Sequence, residues 1–141
     1  MSEDCLFCQI VDGEIPSHTV YEDDDVYAFL DVNPLAKGHT LVIPRAHHAR
    51  LRDLPEADAA AVGAAIAKVS PAVEDAVDAP ASSVAYNNGP EAGQEIDHVH
   101  AHVVPRFADD GAGSFHTLFG GFADVDDDEM ADLAEAIGDG I

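Results

Sequence analysis

Positive charge is what this chain has least of. Six lysines and arginines stand against 28 aspartates and glutamates, a formal net charge of -22 over 141 residues. With neither a basic patch nor a basic stripe, the composition disfavours nucleic acid and anionic membrane as partners. The carboxylates run from Glu3 to Asp139 across segments that are otherwise apolar enough to fold, with 47% hydrophobic residues. We therefore expect a halophilic protein, whose acidic surface is tolerated in concentrated salt. The Debye length there falls to about 3 Å at 1 M, which screens self-repulsion. Long apolar runs are missing too. None approaches the roughly 20 residues that cross a bilayer, and the start Met1-Ser2-Glu3-Asp4 lacks the basic opening of a secretory signal. The expected location is cytoplasmic. Cysteine is limited to Cys5 and Cys8, which suits thiols or metal ligands in that compartment better than a structural disulfide.

The length fits a single domain, residues 1–141, with a real core. Residues 5–11 suit a short helix or turn, stopped by Gly13 and Pro16. Residues 18–22 and 26–31 read as a hairpin about the turn Asp23-Asp24-Asp25. A third strand covers 39–43 and ends at Pro44. The clearest helix covers 55–78: Pro55 suits its first turn, Glu56 and Asp58 its positive end, and Val62, Ile66, Val69, Val73 and Val77 recur on one face. Pro71 inside it predicts a kink or a split. A fourth strand is expected at 83–86, a Gly- and Asn-rich loop at 87–95, and a final amphipathic helix at about 126–138.

The fifth strand is the informative one. His98, His100 and His102 alternate with Val99, Ala101 and Val103. At a strand's two-residue period, all three imidazoles share one face, roughly 6–7 Å between neighbours. One histidine on a strand is unremarkable, whereas three at alternating positions ask for chemistry: nucleophile, acid, base or metal ligand. Parallel rings spread over about 13 Å do not converge on one ion. The preceding loop, with Asn87, Gly89, Gly93 and Gln94, suits either a plain turn or an anion cradle of exposed N–H groups. Cys5-x-x-Cys8 is open to three readings: a redox pair, half a zinc site, or two small buried hydrophobes.

HVHAHVV matches the His-φ-His-φ-His-φ-φ signature of the histidine triad (HIT) family of nucleotide hydrolases and transferases. The segments CLFCQIVDGEIP, AFLDVNPLAKGHTLVIPRAH and NNGPEAGQEIDHVHAHVVPR resemble its zinc-containing prokaryotic branch, close to the Hint (purine nucleoside phosphoramidase) group. The resemblance covers residues 5–106 and leaves 107–141 as a C-terminal extension. It implies an α+β fold, an antiparallel sheet of about five strands with one long helix across it, and a homodimer.

The resemblance also assigns roles. His100 is implied as the nucleophile that becomes transiently nucleotidylated, and His102 as a contact to the same phosphate. Asn87, Gly93 and Gln94 fall at the phosphate loop, Asp31 at the ribose, and Leu30 and Val32 beside the base. Cys5, Cys8, His47 and His98 are implied as a structural zinc set, one ion per chain, with His48 competing for the place of His47. Glu95 departs from the pattern, standing where eukaryotic Hint enzymes have a phosphate-binding serine. Because a carboxylate there repels an anion, it is expected to turn away, just as the net charge of -22 opposes an anionic substrate unless salt screens it. The implied activity is hydrolysis of nucleoside 5′-monophosphate derivatives, adenosine phosphoramidates or aminoacyl-adenylates. The alternatives are a dinucleoside polyphosphate hydrolase or nucleotidyltransferase, and a nucleotide-binding protein whose catalysis is incidental.

Overall fold

The computed structural model of the chain describes residues 4–141; Met1, Ser2 and Glu3, where the chain lacks a basic start, lie outside them. Ala108 closes one compact unit, and Asp109–Ile141 make a second.

The first unit is built on five antiparallel strands: β1 (Thr19–Glu22), β2 (Val26–Leu30), β3 (Thr40–Pro44), β4 (Ala81–Tyr86) and β5 (Ala101–Arg106), in the spatial order β1-β2-β3-β5-β4. Side-chain alternation sorts the core into two layers. Val26, Ala28, Val42, Ala101 and Val103 face the long helix α2 (Glu56–Ala76), meeting its buried Val62, Ala65, Val69 and Val73. Tyr27, Phe29, Leu41 and Ile43 face the other way, onto Cys5, Phe7, Cys8 and Ile10 of the N-terminal segment, where α1 spans Leu6–Val11. Covered on both faces, β3 is buried at every position.

The α2 stripe is the expected one except that Ala65 is buried where Ile66 was expected, and that Val77, expected on it, is only half-buried at the cap beyond Ala76. Ile66 packs at the margin, a shift of one position around the same face. Pro71 does not split the helix, which is continuous from Glu56 to Ala76. Packing of its stripe against the sheet outweighs the one hydrogen bond that proline removes. Gly38, entering β3 with φ +98°, passes so close to α2 that a Cβ there would lie 3.2 Å from Val77.

The histidine strand needs a correction. The ladder begins at Ala101, and His98 and His100 lie in its irregular lead-in. The register explains this: β5 is paired on both sides only over Ala101–Val103, with Val42, Leu41 and Thr40 of β3 and with Tyr86, Ala85 and Val84 of β4. Upstream of Ala101 the backbone turns to other partners, among them the His48 carbonyl, which accepts from the Val99 N–H at 2.8 Å.

In the second unit, α3 spans Asp127–Asp139. Asp126 caps it by accepting from the Glu129 N–H at 2.9 Å, and Asp127, Asp128 and Glu129 suit its positive end. Every residue of this unit is exposed, including Met130, Leu133 and Ile137 on the apolar side of α3. No helix among the described residues is long and apolar enough to cross a membrane.

Ile43 is fully buried in the layer that joins the N-terminal segment to the sheet. Ile43→Ala is expected to cost about 2–5 kcal/mol, measured by urea unfolding in molar salt. A loss below about 1 kcal/mol would show that this layer carries little of the fold's stability.

Candidate active site and metal centre

The N-terminal layer meets the lead-in to β5 at Cys5 and Cys8. Cys5 Sγ lies 3.3 Å from His98 Nδ1, while Cys8 Sγ lies 3.3 Å from His47 Nδ1 and 3.5 Å from His98 Nδ1. All four ligand atoms fall within 4.8 Å of one another. A tetrahedral ion with bonds of about 2.3 Å to sulfur and 2.0 Å to nitrogen sets its S and N ligands about 3.5 Å apart. The four side chains therefore form a possible metal site of suitable geometry. His98 Nε2–H donates to the Pro44 carbonyl at 2.8 Å, which leaves the Nδ1 lone pair for the cluster, as an outer partner does for a metal-bound histidine. Burial lowers the His98 pKa to about 4 and raises that of the Cys8 thiol to about 12. The first keeps imidazole in its ligand form; the second means that thiolate here needs a cation beside it. His48 is not in the cluster, and its Nε2 lies 3.6 Å from Asp58.

One peptide unit links this cluster to the next histidine. His100 Nδ1–H donates to the carbonyl of His98 at 2.7 Å. The neutral ring thus carries its lone pair on Nε2, the form a nucleophilic imidazole requires. Phe7 of α1 holds the ring edge-on, its centroid 5.1 Å from His100 and 6.0 Å from His98.

His102, on β5, is oriented by a residue that the sequence motif does not include. The Leu35 N–H donates to His39 Nδ1 at 3.0 Å, so neutral His39 carries its proton on Nε2. That Nε2–H meets His102 Nδ1 at 3.0 Å, and His102 in turn carries its proton on Nε2, the donor available to a ligand. Asp31 Oδ2 stands 3.6 Å from His39 Nε2. Asp31, His39 and His102 also satisfy the spacing of metal ligands. A metal on His39 Nε2, however, would drive the proton to Nδ1, against the Leu35 N–H. We read this group as a hydrogen-bond relay. Burial holds both rings neutral: the His39 pKa is lowered, opposed by Asp31, and that of His102 falls to about 4, helped by His100 and His39 and opposed by Asp31.

His100 and His102 approach to 5.0 Å between centroids, closer than the 6–7 Å of a regular strand, because only the second is inside the ladder. They line a cleft of about 460 Å³ together with Leu30, Asp31, Val32, Asn87 and Gly93. The apolar side chains Leu6, Phe7, Ile10 and Phe29 line it too. Gln94 does not line it. Its amide is used inside the loop, accepting from Gly89 N–H at 2.8 Å and donating to the carbonyls of Ala49 and Ile96 at 2.6 and 3.0 Å. Positive φ at Gly89 (+91°) and Gly93 (+100°) permits the turn around Pro90–Ala92 that this amide braces. Glu95, expected to turn away, is exposed and among the lining residues. Phe7 and His39 complete the site beyond the residues named from sequence. The only local signal for His39 is a polar aromatic directly after Gly38 at the mouth of an apolar strand.

Residues 12–109 match the model of the HIT domain. The chain belongs to the HIT family. It is 40% identical to an uncharacterised HIT-like protein of Methanocaldococcus jannaschii, over 89% of this chain and 95% of that protein. It is 40% identical to an adenylylsulfatase of Arabidopsis thaliana over 75% of this chain and 54% of that protein. For an adenosine 5′-monophosphoramidase of Saccharomyces cerevisiae the values are 42%, 72% and 62%. Among solved structures, a HIT family member from Bacillus subtilis has a TM-score of 0.89 at 34% identity, covering 98% of this chain and 97% of that one. A zinc-bound histidine triad protein from Mycobacterium smegmatis has a TM-score of 0.76 at 34% identity, covering 96% and 99%. Two of these relatives, the adenylylsulfatase and the monophosphoramidase, are named for hydrolysis.

The neutral state of His102 has a consequence for stability. Its folded pKa of about 4 lies below the ordinary value of 6.5, so the unfolded chain takes up this proton first as pH falls. The stabilisation is complete above about pH 6.5 and is lost on descending toward pH 4. His102→Gln should lose less stability than wild type between pH 7.5 and 4.5, by urea unfolding in molar salt. Equal losses would contradict a buried neutral ring.

Proposed function

We propose that this HIT protein hydrolyses nucleoside 5′-monophosphate derivatives, adenosine phosphoramidates or aminoacyl-adenylates, through a nucleotidyl intermediate on His100. The observation that carries the reading is the hydrogen bond that commits His100 Nδ1–H to the His98 carbonyl at 2.7 Å, which leaves Nε2 as the lone-pair nitrogen of the neutral ring, beside His102 in the cleft. In this reading Nε2 attacks the α-phosphorus, the bond to the leaving group breaks, and water later cleaves the P–N bond to His100, releasing the nucleoside monophosphate. Dividing one displacement into two lowers each barrier. Positive charge that develops on the imidazole is shared with the carbonyl that holds Nδ1–H. His102 Nε2–H and the backbone about Asn87 and Gly93 stabilise the non-bridging oxygens. Asp31 takes the ribose hydroxyls. Leu30 and Val32 flank the base, next to the apolar side chains of the cleft.

For the cluster Cys5, Cys8, His47 and His98 we propose one zinc ion per chain. With four protein ligands the site is closed, and bound zinc supplies structural cross-linking rather than an open coordination position. The residues do the rest: His98 carries the carbonyl that orients His100, so fastening its ring fixes the nucleophile. We further propose a cytoplasmic protein adapted to concentrated salt, and a homodimer, for which the edge strand β4 with its exposed Val84 offers a surface.

Incubation with an adenosine 5′-phosphoramidate in molar salt, followed by rapid acid-free quenching and mass spectrometry, should show protein carrying one adenylyl group. His100→Ala should show none. An undiminished adduct in that variant, or none in wild type, sinks the covalent mechanism. Metal analysis of purified protein should find about one equivalent of zinc. The double variant Cys5→Ser/Cys8→Ser should lose it and unfold at lower temperature; retention of the metal would place it elsewhere.

A further inference from the structure

The cleft is unusual for one that receives a nucleotide: among the described residues no lysine or arginine lines it, and its only carboxylates are Asp31 and Glu95. Asp31 is committed, one oxygen accepting from the Asn33 N–H at 2.9 Å and the other facing His39. Glu95 is not. It is exposed, and no hydrogen bond or ion pair among the described residues holds it. Its backbone is nonetheless well anchored, since the preceding Gln94 is buried and fixed by three hydrogen bonds. The loop that carries Glu95 also carries Asn87 and Gly93, and lines the cleft with His100 and His102. Asp31 has Leu30 and Val32 as chain neighbours. In the reading above, Asp31 belongs to the nucleoside, and the loop that carries Glu95 belongs to the phosphate, where the leaving group begins.

A carboxylate at that place discriminates by sign. A polyphosphate or sulfate leaving group would bring more negative charge to a lining without a counter-cation. An ammonium on the leaving group would instead find an unpaired carboxylate. We propose that Glu95 is a specificity-determining residue that selects AMP derivatives whose leaving group carries an ammonium, as aminoacyl derivatives and phosphoramidates of diamines do. The proposal rests on the hydrolase reading and sharpens its substrate class. It ranks polyphosphates below phosphoramidates of cationic amines on the charges lining the cleft.

Three adenosine 5′-phosphoramidates of matched length test it, with tails ending in an ammonium, a methoxy group and a carboxylate. The values of kcat/KM are compared at one fixed salt concentration for wild type, Glu95→Gln and Glu95→Lys. Wild type should prefer ammonium to methoxy and methoxy to carboxylate by about fivefold each, the range of a partly exposed charge pair. Glu95→Gln should compress the whole range to less than about threefold, and Glu95→Lys should reverse the order. A merely structural residue would lower all three rates together and leave their order unchanged. That result, or a wild-type preference for the carboxylate tail, overturns the proposal while hydrolysis of the methoxy compound through a His100 adduct leaves the hydrolase reading standing. No cleavage of any of the three, and no adduct, removes both.

Discussion

The hydrogen bond from His100 Nδ1 to the His98 carbonyl, 2.7 Å long, is the contact on which the site depends. It selects the tautomer of one histidine by using the main chain of another, and so joins two clusters with different chemistry. On one side the His98 ring faces two thiols and His47; on the other, His100 faces the cleft beside His102. A one-residue slip at this point would exchange buried and cleft-facing side chains throughout β5. The slip is opposed by β3 and β4, both paired with Ala101–Val103.

A second main-chain group does the same for the other cleft-lining ring. The Leu35 N–H can only donate, so it sets His39, and His39 sets His102. Direction passes along two imidazoles without any full charge, and burial keeps both neutral. The two backbone contacts work in opposite senses. One leaves His100 with a lone pair at Nε2, and the other leaves His102 with a proton there. An adjacent acceptor and donor are what an electrophilic phosphorus and its non-bridging oxygen require.

Much of this was legible in local pattern. The segments read as strands at 26–31 and 39–43 are strands in the fold, and both of their faces are buried, as two core layers. The three-and-four spacing of Val62, Ile66, Val69, Val73 and Val77 predicted the helix that covers one of them. The alternating histidines stood out because no packing role explains three together, and the paired cysteines because they are the chain's only two. What stayed hidden depends on register between distant segments. His39 meets His102 because Leu41 pairs with His102, a relation across some sixty positions that no window of sequence displays. Phe7 is placed by the layer under the sheet. Gln94 reads as a phosphate contact in its loop, and only the folded chain shows its amide occupied by Gly89, Ala49 and Ile96. The start of β5 at Ala101 was missed because the alternation continues through His98 and His100, although the ladder does not.

The relay beneath the cleft is made of neutral imidazoles, main-chain dipoles and buried ring edges, in a chain with 28 carboxylates and only six lysines and arginines. Contacts of that kind act over one atomic diameter and carry no net charge for dissolved ions to shield. Apart from the Asp31 carboxylate beside His39, the geometry around His100 and His102 therefore rests on contacts that dissolved ions screen little. The molecule keeps most of its charge on an acidic exterior and orients its central histidines largely with dipoles.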